Sequence, residues 1–125
     1  MKVISTKNAP AAIGPYSQAI EAGGMVFVSG QVPINPETGN IEAKDIASQT
    51  TQVLKNIGEI LKAAGLGYEN VVKTTVLLDD INDFSAMNEV YAGFFTEPYP
   101  ARAAFEAANI PKGAKVEIEV IAVRS

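Results

Sequence analysis

Residues 115 to 123 alternate in polarity, which predicts a β-strand. Val116, Ile118, Val120 and Ala122 point to one side and form a uniformly apolar face that belongs on a core. Lys115, Glu117, Glu119, Ile121 and Val123 point to the other. That second face begins charged and ends apolar, unlike an ordinary solvent-facing side. Glu117 and Glu119 become same-face neighbours roughly 7 Å apart.

Upstream, apolar positions recur at helical steps from Asp45 to Ala64: Ile46, Val53, Leu54, Ile57, Ile60, Leu61 and Ala64. Asp45 supplies an N-cap and Gly65 a stop. Nothing on the polar side of this helix groups into a site, so it reads as scaffold. The β-branched run Val71 to Leu78 predicts a central strand. A second helix starts at Asp79-Asp80-Ile81-Asn82, with Phe84, Met87, Tyr91, Phe94 and Phe95 on its apolar side. Asn88 shares that side, where its amide must find hydrogen-bond partners; a satisfied core or interface residue and a pocket residue both fit.

Near the start, Val3-Ile4-Ser5 suits an edge strand. Pro10, Gly14 and Pro15 make residues 8 to 15 irregular. Tyr16 to Glu21 and Met25 to Ser29 read as a hairpin around Ala22-Gly23-Gly24. Tyr16 then sits at a strand edge, and Gly30 marks either a bulge or a close approach of another group. Residues 101 to 107 are ambiguous: Arg-Ala-Ala-Phe-Glu-Ala-Ala after a proline suits a helix start, yet a strand with a turn at 109 to 113 is equally open. Antiparallel pairing of that strand with 115 to 123 would place Arg102 near residues 118 to 120, sharing one patch with the carboxylates. The element order predicts an α+β fold, a single domain spanning 1–125 with one mixed sheet and both helices on one face.

Composition narrows the chemistry. With 125 residues, 47% hydrophobic, the chain can bury about two thirds of its unfolded surface. No apolar run approaches the ~20 residues of a membrane span, and no signal-peptide pattern opens the chain. The absence of cysteine suits a cytoplasmic protein, and a net charge of -4 makes a nucleic-acid partner unfavourable. Without His or Cys, the usual zinc sites, Ser-His triads, thiol nucleophiles and histidine-pair ribonucleases are unavailable, so no metal is expected. Acid–base work must come from Glu, Asp, Lys, Tyr or water.

Several separated motifs, in order, carry a family resemblance. Asn8-Ala9-Pro10-Ala11-Ala12-Ile13-Gly14-Pro15-Tyr16-Ser17-Gln18-Ala19, Val28-Ser29-Gly30-Gln31-Val32-Pro33 and Val72-Lys73-Thr74-Thr75-Val76 are three of them. Phe84, Asn88 and Tyr91 follow, then Pro100-Ala101-Arg102, Ile110-Pro111-Lys112-Gly113 and Val116 to Val123. From about residue 5 onward the chain resembles the Rid (YjgF-like) reactive intermediate deaminases. The resemblance implies a chorismate-mutase-like fold, about six strands, and a homotrimer with sites between subunits. It also implies hydrolysis of 2-imino acids, released by pyridoxal-phosphate dehydratases, to 2-oxo acids and ammonia, with no cofactor.

On that resemblance Arg102 clamps the substrate carboxylate, Glu117 positions water and Tyr16 closes the pocket. Ser29, Gly30, Asn88 and Ala104 line it. Arg102 and Glu117 as a structural ion pair is the competing reading; Glu119 fits a structural or interface charge, and Lys73 and Lys112 read as solvated. Many relatives carry Ser-Cys where this chain has Ala103-Ala104, which removes thiol chemistry but not a water mechanism. A non-catalytic 2-oxo-acid binder and an endoribonuclease or translation inhibitor are the alternative functions.

Overall fold

A computed structural model describes residues 1–125. Its strands are β1 (Lys2–Ile4), β2 (Ala19–Ala22), β3 (Met25–Gln31), β4 (Val71–Leu78), β5 (Ala101–Glu106) and β6 (Val116–Val123). The helices are α1 (Ile46–Ala63) and α2 (Phe84–Ala92). The six strands form one sheet in the order β1-β2-β3-β6-β4-β5. Only β4 and β5 are parallel, and α2 is the crossover that parallel neighbours require.

Local chemistry explains the boundaries. Gly23 and Gly24 both have positive φ (59° and 77°), so they make the two-residue turn that joins β2 to β3 with Ala22 opposite Met25. The Asp45 carboxylate accepts the Ser48 N–H at 2.7 Å and caps α1, while Gly65, at φ 75°, lets the chain leave the helix. The second helix starts later than its sequence suggests. Residues Ile81–Asp83 form a 3-10 turn, because the Asp80 side chain takes the Asn82 N–H in competition with a regular first turn.

Both helices cover the same sheet face. Val53, Leu54, Ile57, Ile60 and Leu61 of α1 are fully buried, as are Val116, Ile118 and Ala122 of β6 and Met87 of α2. Each such side chain contributes roughly 1.5–3 kcal/mol by leaving water. Polar residues of α1 tie loops to this core. Asn56 donates its amide to the Val32 and Ile34 carbonyls (3.3 and 2.9 Å), and Gln49 accepts the Lys115 N–H at 2.8 Å. Buried polar residues of α1 therefore anchor segments that carry other residues. No helix is long and apolar enough to cross a membrane.

Two expectations need correction. Tyr16 lies before β2 rather than in it; its backbone is turned by the Tyr16 N–H bond to Gly14 O (2.9 Å), with Gly14 at φ 130°. More consequentially, β5 does not pair with β6. It pairs in parallel with β4, Arg102 opposite Thr74 and Ala104 opposite Val76, whereas β6 lies on the other side of β4. The connection is too long and irregular for a hairpin. It passes over the end of β4, held by Ala107 N–H to Leu78 O (2.9 Å) and Asp79 N–H to Lys115 O (3.0 Å). The strongly apolar β6 takes the central position and Ala-rich β5 the edge. That pairing to β4, a tertiary effect, overrides the helical propensity of the Ala-rich segment.

Candidate active site

Residues expected to share one site fall into two groups on opposite faces of the sheet. Thr74, opposite Arg102, is fully buried under the helices, so Arg102 projects on the helix-covered side. Glu117 lies opposite Leu77 on the uncovered side. Two strands and three residues apart, their Cα atoms are separated by roughly 14 Å within one chain. The patch of one guanidinium with two carboxylates does not form, and neither does the Arg102–Glu117 ion pair. The ion pair present in the fold joins Arg124 to Glu21 at 2.9 Å.

The first group surrounds Glu117. Tyr16, Ser29, Gly30, Lys112, Glu117 and Glu119 line a cleft of about 670 Å³. Its walls follow from the fold. Between Val28 and Gln31 the pairing of β3 with β6 slips by one residue, a bulge that turns Ser29 and Gly30 out of the regular ladder. Ser29 Oγ donates to Ser17 O at 2.6 Å, fixing the bulge to the segment that carries Tyr16. Buried Gln18 holds the opposite wall, donating to Thr6 O (3.1 Å) and Pro10 O (2.7 Å) and accepting the Thr6 N–H (2.7 Å). Tyr16 itself is 53% exposed, its hydroxyl accepting the Ile13 N–H at 3.3 Å.

Gly30 is both a bulge and a close approach. A Cβ there would stand 3.0 Å from Glu117 Cδ and 3.3 Å from Cγ, with Oε2 nearer still. The Glu117 carboxylate thus rests on bare backbone. Burial pushes its pKa above the usual 4.5, and the charge of Glu119 adds to the rise. No protein group donates a hydrogen bond to it. Lys112, read from sequence as solvated, lines this cleft from a left-handed backbone conformation (φ 60°). Nothing in the pattern Ile-Pro-Lys-Gly signals where that side chain stands relative to Glu117.

The second group surrounds Arg102 at the β5 edge. Its Nη1 donates to Asn88 Oδ1 at 2.6 Å. The guanidinium carbon lies 5.3 Å from the Phe84 ring centroid and 4.8 Å from that of Tyr91. Nε and Nη2 have no protein acceptor, and Arg102 lines a cavity of about 470 Å³ with Asn88, Tyr91, Ala92, Tyr99 and Pro100. Ala104 lies on the same face, packed against the core beneath this region. The role of Asn88 is now concrete: the side-chain oxygen on the apolar side of α2 accepts from Arg102. Phe84, Asn88 and Tyr91 were visible as neighbours at helical spacing; that they converge on an arginine was not.

A six-stranded mixed sheet with two helices on one face, carrying an open guanidinium fork and a desolvated carboxylate in two clefts, defines a small α+β protein equipped for small polar molecules. The chain belongs to the family described as Endoribonuclease L-PSP, whose model matches residues 6–124, and within it to the Rid proteins that its motifs resemble. It is 54% identical over 123 residues to a mouse protein named 2-iminobutanoate/2-iminopropanoate deaminase, covering 98% of this chain and 91% of that one. A RutC family protein of Pyrococcus horikoshii is 55% identical over 123 residues, 98% of each chain. Among solved structures, E. coli TdcF with bound serine superposes with a TM-score of 0.94 at 48% identity, covering all of both chains. The E. coli YjgF gene product gives 0.94 at 51% identity with the same coverage.

Proposed function

We propose that this chain hydrolyses 2-imino acids such as 2-iminobutanoate and 2-iminopropanoate to 2-oxo acids and ammonia. The observation that carries the proposal is the Glu117 carboxylate, desolvated, unbonded by the protein and seated against Gly30 in an open cleft. A carboxylate whose pKa is raised by burial accepts a proton from water more readily than an ordinary one. Water oxygen attacks the C=N carbon of the protonated imine while Glu117 takes one water proton, giving a neutral tetrahedral carbinolamine. Glu117 passes that proton to the amino nitrogen, the C–N bond breaks as the hydroxyl oxygen forms the carbonyl, and the hydroxyl proton passes through Glu117 to the departing ammonia, which leaves as ammonium. An enamine enters the same path after tautomerising to the imine. The imine carbon is already electrophilic, so positioning supplies much of the acceleration.

Arg102 is assigned to the substrate carboxylate: its Nε–Nη2 edge matches a planar bidentate acceptor, which a lysine cannot copy. Tyr16, Ser29 and Gly30 form the wall around the imine. We assign the complete site to the junction of two chains, the Arg102 cleft of one meeting the Glu117 cleft of the next. The separation of the two clefts by the sheet supports this, as does the uncovered face, where Phe27 and Phe105 are 41% and 49% exposed beside Leu77 and Ile121. A homotrimer closes such head-to-tail contacts in a ring. Light scattering should give a trimer mass, and a monomer at micromolar concentration would overturn the shared site. With no cysteine in the chain, we place the protein in the cytoplasm.

The test of function is a coupled assay in which a dehydratase generates the imine from threonine or serine and 2-oxo acid appearance is timed. Acceleration by this protein supports the proposal. Tight binding of 2-oxobutanoate with no acceleration would make the protein a binder instead. The family description names an endoribonuclease, but this chain carries -4 net charge and no histidine. RNA cleavage by highly purified protein would reverse that judgement.

A further inference from the structure

Beneath Arg102 lies a second, buried layer. Thr74 Oγ1 and Tyr91 Oη share a hydrogen bond of 2.7 Å; Thr74 is 0% exposed and Tyr91 5%. Each hydroxyl is the other's only protein partner. Thr74 stands on β4 directly opposite Arg102, and Tyr91 stands on α2 one turn beyond Asn88. The bond therefore ties the helix carrying Asn88 to the strand paired with the arginine's own. It also orients the Tyr91 ring, whose centroid lies 4.8 Å from the guanidinium. A second ring contact, Tyr91 to Phe95 at 4.6 Å between centroids, backs the same side chain from below.

An arginine on an edge strand has many rotamers, and its side chain is exposed on the side facing solvent. Its single hydrogen bond to Asn88 leaves the guanidinium free to pivot about Nη1. The Tyr91 face, from one side, and the Phe84 ring 5.3 Å away restrict that pivot. We propose that the Thr74–Tyr91 hydroxyl pair is a positioning device for Arg102: by fixing the Tyr91 ring it holds the Nε–Nη2 edge open toward the substrate carboxylate. Thr74 does not line the Arg102 cavity; Tyr91 does, with its hydroxyl bonded to Thr74. This inference rests on the carboxylate assignment of Arg102. Burial raises the Tyr91 pKa, which keeps the hydroxyl protonated and the hydrogen bond intact in the assay range.

The test compares Thr74→Val, Tyr91→Phe, their double variant, Thr74→Ser and Arg102→Lys, each as the full-length assembled protein. Two readouts are used: KM and kcat for imine hydrolysis, and the affinity for 2-oxobutanoate. Thr74→Val is isosteric and Tyr91→Phe keeps the ring, so both preserve packing volume. Each is expected to raise KM and weaken 2-oxobutanoate about five- to tenfold with kcat nearly unchanged, the pattern of lost uniform binding. The double variant should be no worse than either single one, because both remove the same bond. Thr74→Ser should rescue.

A purely structural role would lower the melting temperature and leave KM and 2-oxobutanoate affinity at parental values; that result overturns the inference. Additive losses in the double variant would also overturn it. Arg102→Lys separates the two layers. If Arg102→Lys loses 2-oxobutanoate binding while Thr74→Val and Tyr91→Phe keep it, the positioning role fails and the carboxylate assignment stands. If Arg102→Lys binds as tightly as the parent, the assignment itself fails, and the positioning role with it.

Discussion

Replacing Gly30 with alanine should switch off catalysis while leaving the protein folded. The backbone at Gly30 is not in the left-handed region, so the added methyl brings no conformational strain; what matters is the space it takes. The new Cβ would sit 3.0 Å from Glu117 Cδ and 3.3 Å from Cγ. Carbon atoms prefer about 3.5–4.0 Å, so clearing Cδ and Cγ alone takes roughly 0.5–1 Å, and Oε2, nearer still, must move further. The retreat costs the fold little, because the obstacle is the far end of a half-exposed side chain rather than backbone. For the reaction it removes the positioned proton acceptor. A misplacement of 1 Å can cost about 100-fold in rate, or about 2.7 kcal/mol of transition-state stabilisation.

In the coupled dehydratase assay, Gly30→Ala should therefore show kcat reduced by about two orders of magnitude. Binding of 2-oxobutanoate should be largely retained, since the Arg102–Asn88 arrangement assigned to the carboxylate is left intact. Circular dichroism and melting temperature should stay close to the parent. A folded Gly30→Ala protein turning over at the parental rate would refute the placement of Glu117 as the base. Loss of folding instead would mean that the Gly30–Glu117 contact is structural.

Glu117→Gln should lower turnover at least ~100-fold and yet not destabilise the fold. Burial raises its folded pKa, so its favourable contribution, that of the protonated form, is fully present below 4.5 and lost as pH rises through the folded value. The variant should then melt at or above the parental temperature at neutral pH, with the gain disappearing in acid; a lower melting temperature at neutral pH would contradict the desolvation argument. Gly58→Ala, at a residue that lines neither cleft, should cost about 1–3 kcal/mol in chemical denaturation. Its Cβ would fall 2.8 Å from Tyr68 Cζ and displace the hydroxyl that donates to Leu54 O at 2.6 Å, whereas activity per folded molecule should be unchanged.

Local periodicity made most of the scaffold legible. The apolar stripe of α1, its Asp45 cap and the Gly23-Gly24 turn depend on neighbours within a few residues, and each stands where the pattern places it. The alternating face of β6 is likewise buried at Val116, Ile118, Val120 and Ala122. What the pattern did not contain was which strand lies beside which. Alternation gives a strand its two faces but no partner, so β5 could be read against β6 when it pairs with β4. That one choice of neighbour moved Arg102 across the sheet from Glu117. The family motifs singled out the residues, and the three-dimensional register divided those that line clefts into two groups, Tyr16, Ser29, Gly30 and Glu117 in one and Asn88 and Arg102 in the other. Lys112 is exposed, as its reading as solvated expects, but its place at the Glu117 cleft and the Thr74–Tyr91 bond were not legible, since both depend on contacts distant in sequence.

Mixing two inactive variants tests the shared site directly. Arg102→Ala lacks the carboxylate clamp and Glu117→Gln lacks the base, so neither alone should hydrolyse the imine. Co-expressed in equal amounts and assembled at random, they should recover roughly one quarter of the parental rate. That is the chance that a junction in the ring takes its arginine from one variant and its glutamate from the other. Recovery near one quarter is the result expected of a site built from two chains. If the mixture stays as inactive as its components while hybrid assemblies are demonstrably present, Arg102 and Glu117 do not meet across a subunit junction and the shared site is wrong.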